Sequence, residues 1–316
     1  MGEDINNSTS PNHHHHPDII RRKQQKHYHQ NSCRVVDIGV NLTDDVFKDN
    51  WRDVVQRAVD SGVDRIILTG LTVQESLQSL IMAEQWFEET GCPNLYATVG
   101  VHPYNASSWK KSTTGISPQG STEEEEDSLY MMRELLRHPL AVAVGECGLD
   151  YNRFHSSKED QIEAFRQQVR LACELDMPLF LHEREAHEDF IAILDEISAT
   201  HGENLPPIVV HCFTGTLGEA AAYVKRGFFI SFAGTICSKS RGKHLRKLLP
   251  TIPMDRLMVE TDAPYMNFKS KERPNSEPAD CVDVARKMGE TLTVPFDEVC
   301  DFTTETALNF FRIADQ

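Results

Sequence analysis

Eight short, almost wholly apolar runs recur along this chain, separated by stretches of helical periodicity. They are VVDIGVNL (35–42), RIILTG (65–70), LYATVGVHP (95–103), AVAVGECGLD (141–150), PLFLHER (178–184), IVVHCF (208–213), FFISFAG (228–234) and RLMVETDAP (256–264). Runs of this length without polar alternation mark parallel strands buried on both faces. Trp51, Val54, Val55 and Ala58 fall at i, i+3, i+4, i+7, as do Phe190, Ile193, Leu194 and Ile197, the stripe of a helix packed on a sheet. Ile162, Phe165, Val169 and Ala172 form a third stripe, opened by the capping pair Ser157 and Asp160. Eight strands with helical crossovers predict an α/β fold, a (β/α)8 TIM barrel, and 316 residues suffice for it as one domain. A doubly wound open sheet is the alternative, but it has no reason to stop at eight. Two further helices, near 279–289 and 295–311, complete the outer ring.

Two segments fall outside this pattern. Residues 1–32 are rich in Asn, Ser, His and Gln without periodicity, and are expected to be a disordered tail rather than a metal-binding tract at His13–His16, His27 and His29. The barrel is expected over 33–316. Within it, 110–127 is a Gly/Ser/Thr/acid-rich insert leaving the third strand, a mobile loop or a lid over the site.

The formal net charge of -16 and pI of about 5.3 disfavour whole-surface attraction to nucleic acid or membrane. The acidic run Glu123–Asp127 is read as a solvated loop. Eight cysteines are scattered without a C-x-x-C pair, which suits a reducing compartment better than a disulfide framework. Strand alternation is expected to turn Cys147 and Cys212 away from the neighbouring Glu146 and His211, as packing residues. No apolar stretch is long enough to span a membrane or to form a signal-peptide core. The chain is therefore expected to be soluble and intracellular, cytoplasmic and/or nuclear, with no obligate protein partner evident.

Four chemistry-bearing residues stand at the ends of separate runs: Glu146, His182, His211 and Asp262. In a closed parallel barrel all strand C-termini share one rim, and neighbouring strands lie about 4.8 Å apart. Two carboxylates and two imidazoles there predict a divalent-metal site for one or two ions. The mixed donors suit Zn2+ or Mn2+, and Mg2+ where water completes the shell. Asp262 can ligate and also take the proton of an attacking water. His102 reaches the same rim, as an oxyanion donor or as a satisfied loop histidine. On strand one, where barrel hydrolases commonly carry H-x-H, this chain has Gly39 and Asn41, so a second ion there would be weakly held. Asp37 is either a weak ligand or a strand-end hydrogen-bonding group.

Taken together, DIGVNLTDDVF, TVGVHPYN, GECGLDY, LFLHER, VVHCFTG, FISFAG and VETDAPY resemble the TatD family of metal-dependent deoxyribonucleases, over about 35–312 and including TALNFF with Thr306 and Asn309. The resemblance implies a metal-dependent hydrolase barrel and Mg2+- or Mn2+-dependent hydrolysis of DNA, often 3′ to 5′ from a single-stranded end, in DNA repair or fragmentation. It carries the metal-binding roles onto Glu146, His182, His211 and Asp262. The Asn41-Leu42 pair matches a family branch that lacks H-x-H.

A phosphodiester substrate needs local positive charge. Arg184 follows His182. Lys239, Arg241, Lys243, Arg246 and Lys247 follow strand seven, and Lys269, Lys271 and Arg273 follow strand eight. These are candidate phosphate contacts or a solvated face. Tyr104, Trp109 and Tyr265 are candidate base-stacking or packing groups. Two rival readings remain: an amide, lactone or N-acetyl hydrolase on the same barrel, and a metal-bound scaffold with little turnover.

Overall fold

The computed structural model describes residues 33–108, 128–200, 205–269 and 273–315. The tail 1–32, the insert 110–127, Trp109 and Lys271 lie outside the described residues. The strands are β1 (Val35–Val40), β2 (Val63–Leu68), β3 (Leu95–Val99), β4 (Ala141–Asp150), β5 (Leu179–Arg184), β6 (Ile208–Val210), β7 (Phe229–Phe232) and β8 (Leu257–Val259). They pair in sequence order, every neighbouring pair parallel. The ring closes beyond β8, where Val40 bridges Ala263 and Asn41 N–H donates to the Ala263 carbonyl at 2.7 Å. The predicted barrel is the observed one.

The helices, among the described residues, are α1 (Trp51–Ser61), α2 (Val73–Thr90), α3 (Ser128–Leu135), α4 (Lys158–Leu175), α5 (His187–Thr200), α6 (Leu217–Lys225), α7 (Lys243–Leu248), α8 (Cys281–Leu292) and α9 (Phe296–Phe311). Ser157 caps α4 by accepting from Asp160 N–H, as its spacing predicts. Thr216 and Glu219 form a capping box on α6. No helix among the described residues is long and apolar enough to cross a membrane.

Strand alternation divides the core into two layers. Val36, Ile38, Ile67, Tyr96, Val142, Phe180, Val209 and Met258 form the interior cluster, while Val35, Ile66, Leu181, Val210 and Leu257 pack outward in the larger cluster with the helices. Phe310 and Phe311 at the end of α9 join the interior cluster from below, Phe310 meeting Phe229 edge-to-face at 5.3 Å. Phe229 begins β7, so this aromatic plug sits at the pole opposite the strand C-termini. Burying rings of this kind contributes roughly 1.5–3 kcal/mol each.

Several runs outlast their strands. The stretches 95–103, 208–213 and 256–264 continue past Val99, Val210 and Val259 because the rim residues stay buried after the ladder has lost its neighbour. The cysteine reading needs a correction. Cys33 and Cys300 form a disulfide, with Cα atoms 5.6 Å apart, joining the start of β1 to α9. The partners are 267 positions apart in sequence, so no local spacing could have shown the pair. The other six cysteines are free.

Candidate metal centre

Parity along each strand decides what reaches the rim. Phe180 faces the interior, so His182 does also. Val209 places His211 there, and Met258 places Glu260, a residue that the sequence reading passed over for Asp262 two positions on. Glu146 lies at a register irregularity between Val144 and Cys147, which turns it inward from the middle of β4 rather than from its end.

Oε1 of Glu146 is the hub. His211 Nε2 lies 2.7 Å from it, His182 Nδ1 2.9 Å and His102 Nε2 3.2 Å. His102, Glu146 and His182 offer ligand atoms that all lie within 4.8 Å of one another, a set that could hold a metal ion. His211 touches the hub from the next strand. Asp262 is buried within electrostatic reach of His211, Glu260 and Glu146. Its Oδ1 accepts from Asn41 Nδ2 at 3.3 Å and its Oδ2 from the Cys212 thiol at 3.6 Å.

Behind two of the imidazoles stand carboxylates that the sequence reading missed. His182 Nε2 meets Asp150 Oδ2 at 3.1 Å, and His211 Nδ1 meets Glu260 Oε2 at 3.3 Å. Asp150 also accepts from Tyr104 OH at 2.9 Å and from Asn152 and Arg153 N–H. Glu260, fully buried, accepts from Ser231 Oγ at 2.6 Å and from Cys212 N–H. Carboxylates placed this way fix the tautomer and aim the opposite ring nitrogen inward. Alternation from Met258 was the available signal for Glu260, and from Glu146 for Asp150.

His102 differs from the other two. Tyr104 N–H donates to its Nδ1 at 3.1 Å, so in the neutral ring the proton sits on Nε2 and points at Glu146. Hydrogen-bond direction therefore separates groups that distance alone puts together. His182 and His211 can present a lone pair to a cation, whereas His102 presents an N–H.

The charges agree. Burial lowers the pKa of His211, but Glu146 and Glu260 outweigh it and hold the ring well above its ordinary value. Burial likewise opposes His182, which Asp150 and Glu146 raise on balance. Burial wins at His102, whose pKa is lowered despite Glu146. Burial would raise Glu146, yet His211 and His102 bring it well below the carboxylate range. Burial pushes Asp262 up to about 7, with His211 opposing and Glu260 and Glu146 adding to the rise. Protonated imidazoles thus supply positive charge among carboxylates where a divalent cation would supply it, so the donor set fits one.

Two residues of β1 have other duties. Asp37 accepts from Thr261 N–H at 2.9 Å and from Thr261 Oγ1 at 2.6 Å, the strand-end alternative rather than a ligand. A Cβ at Gly39 would collide with Glu260 Oε2. Asn41 keeps its Oδ1 buried without a partner. Cys147 packs in the core as expected, but Cys212 does not. β6 ends at Val210 and Cys212 has φ +44°, so alternation no longer applies and its thiol turns to Asp262.

The candidate substrate contacts divide into two groups. Arg184 is half-buried, Lys239, Lys243 and Lys247 are exposed, and none has a side-chain partner among the described residues. Arg241 is exposed, with one long bond to the Asn267 carbonyl. Arg246, by contrast, clamps the carbonyls of Ile236, Ser238 and Lys239, while Lys269 and Arg273 pair with Asp280. Tyr265 OH donates to Asp44. Unforeseen on the same rim is Phe154, 63% exposed and stacked on Tyr151 with centroids 6.0 Å apart.

Fold and rim together define a barrel hydrolase whose inner cluster can hold a metal ion. The chain belongs to the TatD-related DNases, whose family profile matches residues 36–312. It is 43% identical over 230 residues to the 3′-5′ ssDNA/RNA exonuclease TatD of Escherichia coli K12, covering 73% of this chain and 79% of that one. To the protein of the same name from Erwinia amylovora it is 39% identical over 274 residues, 86% and 96% of the two chains. Among solved structures, YJJV, a TatD homologue from Escherichia coli K12, superposes with a TM-score of 0.75 at 27% identity, covering 90% of this chain and all of that one. A TatD family hydrolase from Entamoeba histolytica gives 0.74 at 26%, covering 88% and 98%.

Proposed function

We propose that this protein is a divalent-metal-dependent nuclease that hydrolyses phosphodiester bonds from the 3′ end of single-stranded DNA and RNA. The observation that carries the reading is the convergence of three imidazoles on one oxygen of Glu146, in a chain whose relatives are named as exonucleases.

Glu146, His182 and His211 would hold the ion, with Asp262 at its edge. Bound there, a divalent cation supplies Lewis-acid polarisation of a phosphoryl oxygen and activation of water. The protein's residues supply the rest. Asp150 and Glu260 lock the two imidazoles in their working tautomers. Asp262, steadied by Asn41 and Cys212, accepts the proton of the attacking water. His102 Nε2–H donates to charge that develops beside Glu146. Mn2+ and Zn2+ match this imidazole-rich set better than Mg2+, which prefers oxygen donors.

Arg184 is the cation nearest the site in sequence with a free guanidinium, and it is placed for phosphate. Lys239 and Arg241 contact phosphate further along the rim. Tyr265 keeps its ring half-exposed beside Asp262 and could pack on a sugar or base. Phe154, pre-stacked on Tyr151, offers an open ring face to an unpaired base. Phe154→Ala is expected to weaken binding of a single-stranded 12-mer about tenfold, within the range for loss of one base–aromatic stack. Fluorescence anisotropy checks this.

The function itself is tested by digesting end-labelled single- and double-stranded DNA and RNA under a titration of Mg2+, Mn2+ and Zn2+, with a chelator control. The expected result is a ladder shortening from the 3′ end of single strands that the chelator abolishes. Hydrolysis of lactones or acyl amides with every nucleic acid left intact would overturn it.

A further inference from the structure

A groove of about 700 Å3 opens beside the metal cluster, between the end of β5, the β6–α6 loop and α7. It starts at Glu183 and Arg184, directly after His182, and at Thr214, three residues after His211. Its volume is that of a small-ligand site, and of its lining residues the reading above uses Arg184 alone.

The charged groups of this groove are unequally committed. Glu183 accepts from Ala186 N–H at 2.8 Å and from Tyr223 OH at 2.7 Å. Glu185 accepts from Asn152 Nδ2 at 2.6 Å. Glu219 is occupied by the capping box, accepting from Thr216 N–H at 2.5 Å. His244 is also engaged, its Nε2 lying 3.0 Å from the Thr214 carbonyl. Every acid that lines the groove thus already serves local structure. The two cations that line it, Arg184 and Lys247, have no side-chain partner among the described residues. Leu217, 55% exposed, lines the same groove as an apolar surface at the start of α6. Uncommitted cations beside an apolar wall match a chain that alternates phosphate with flat bases.

We propose that this groove holds the retained, 5′-ward nucleotides of the single strand, with Arg184 and Lys247 on successive backbone phosphates. The inference rests on the nuclease reading. An enzyme that removes 3′-terminal nucleotides must hold the remaining strand on the 5′ side of the reacting bond. The groove adjoins the cluster through Glu183 and Arg184, which follow His182, and Thr214, three residues after His211. The net charge of -16 makes such a local site necessary, since the surface as a whole repels a polyanion.

The test measures binding separately from cleavage. A fluorescent 12-mer with phosphorothioate linkages keeps every backbone charge, and its affinity for the metal-loaded protein is followed by anisotropy across a salt series. For single strands the slope of log K against log salt is about -0.7 per phosphate contact. Arg184→Gln and Lys247→Gln are each expected to make the slope shallower by about 0.7, and the double variant by about 1.4. Lys225→Gln, the same loss of charge at the exposed far end of α6, is the control and is expected to leave the slope unchanged. Slopes equal to wild type in both groove variants would overturn the proposal. The nuclease reading fails separately, if the wild-type protein leaves an unmodified 12-mer uncut.

Discussion

Replacing Glu146 by alanine is expected to reduce cleavage of single-stranded DNA by at least about a thousandfold, a loss of roughly 4 kcal/mol of transition-state stabilisation. Glu146 is the one carboxylate that His102, His182 and His211 all touch. Without it His182 and His211 lose the anion they share, and a cation at this cluster would lose an oxygen donor. Metal-dependent thermal stabilisation should vanish along with activity, because an ion that binds only the folded state raises Tm by an amount that grows with the logarithm of its affinity. Proton linkage provides a further check. His182 and His211 have folded pKa values raised above the unfolded value near 6.5. The stability they contribute to chelated protein is therefore complete below about pH 6.5, and is lost as pH rises through the folded values. Chelated wild type should accordingly lose Tm from pH 6.5 upward, while Glu146→Ala should show a flatter profile. A variant that keeps both its metal-induced Tm shift and its cleavage would show that the hub lies elsewhere.

Asp262→Asn is expected to lower kcat/KM by roughly a hundredfold to ten-thousandfold, the range for removal of a general base. The amide keeps the size of the side chain and its place beside Asn41 and Cys212, so the fold should hold. Asp262 must be ionised to accept a proton. Burial pushes its carboxyl up to about 7, and a cation bound nearby favours the charged form and lowers that value. Wild-type kcat/KM should therefore fall on an acid limb at or below about pH 7. In the variant that limb should be absent, leaving a low rate that depends much less on pH in this range. A full acid limb in Asp262→Asn would assign proton transfer to another group.

The barrel was legible because eight buried parallel strands leave eight apolar runs, and nothing in the packing disguises them. Their limits were less so. Composition records burial, whereas a strand also needs a neighbour to pair with, and at 208–213 and 256–264 burial persists after pairing ends. Glu146, His182 and His211 could be read from the apolar runs that precede them, although Glu146 sits in the middle of β4 and not at its end. Asp150 and Glu260 were overlooked although they share parity with residues already singled out, because the reading stopped at groups that could touch an ion. The residues behind those groups give them direction. Cys212 defeated the alternation rule for a local reason, a left-handed backbone one residue past His211. Lys269, Arg273 and Arg246 show the limit of reading charge from sequence: Asp280 and three carbonyls occupy them, and no spacing reveals such a partner.

The disulfide and the aromatic plug have a practical corollary. Cys33 and Cys300 bring the first strand and the last helix within 5.6 Å, and Thr304 Oγ1 donates to the Arg34 carbonyl a turn later. Both pins lie on the helix whose Phe310 and Phe311 seal the base of the barrel. A bead or sensor chip coupled through a residue introduced beside the end of α9 would therefore hold the barrel by its floor, with the strand C-termini facing bulk solvent and open to long strands. Immobilised protein should accordingly digest polymers as readily as it does free in solution.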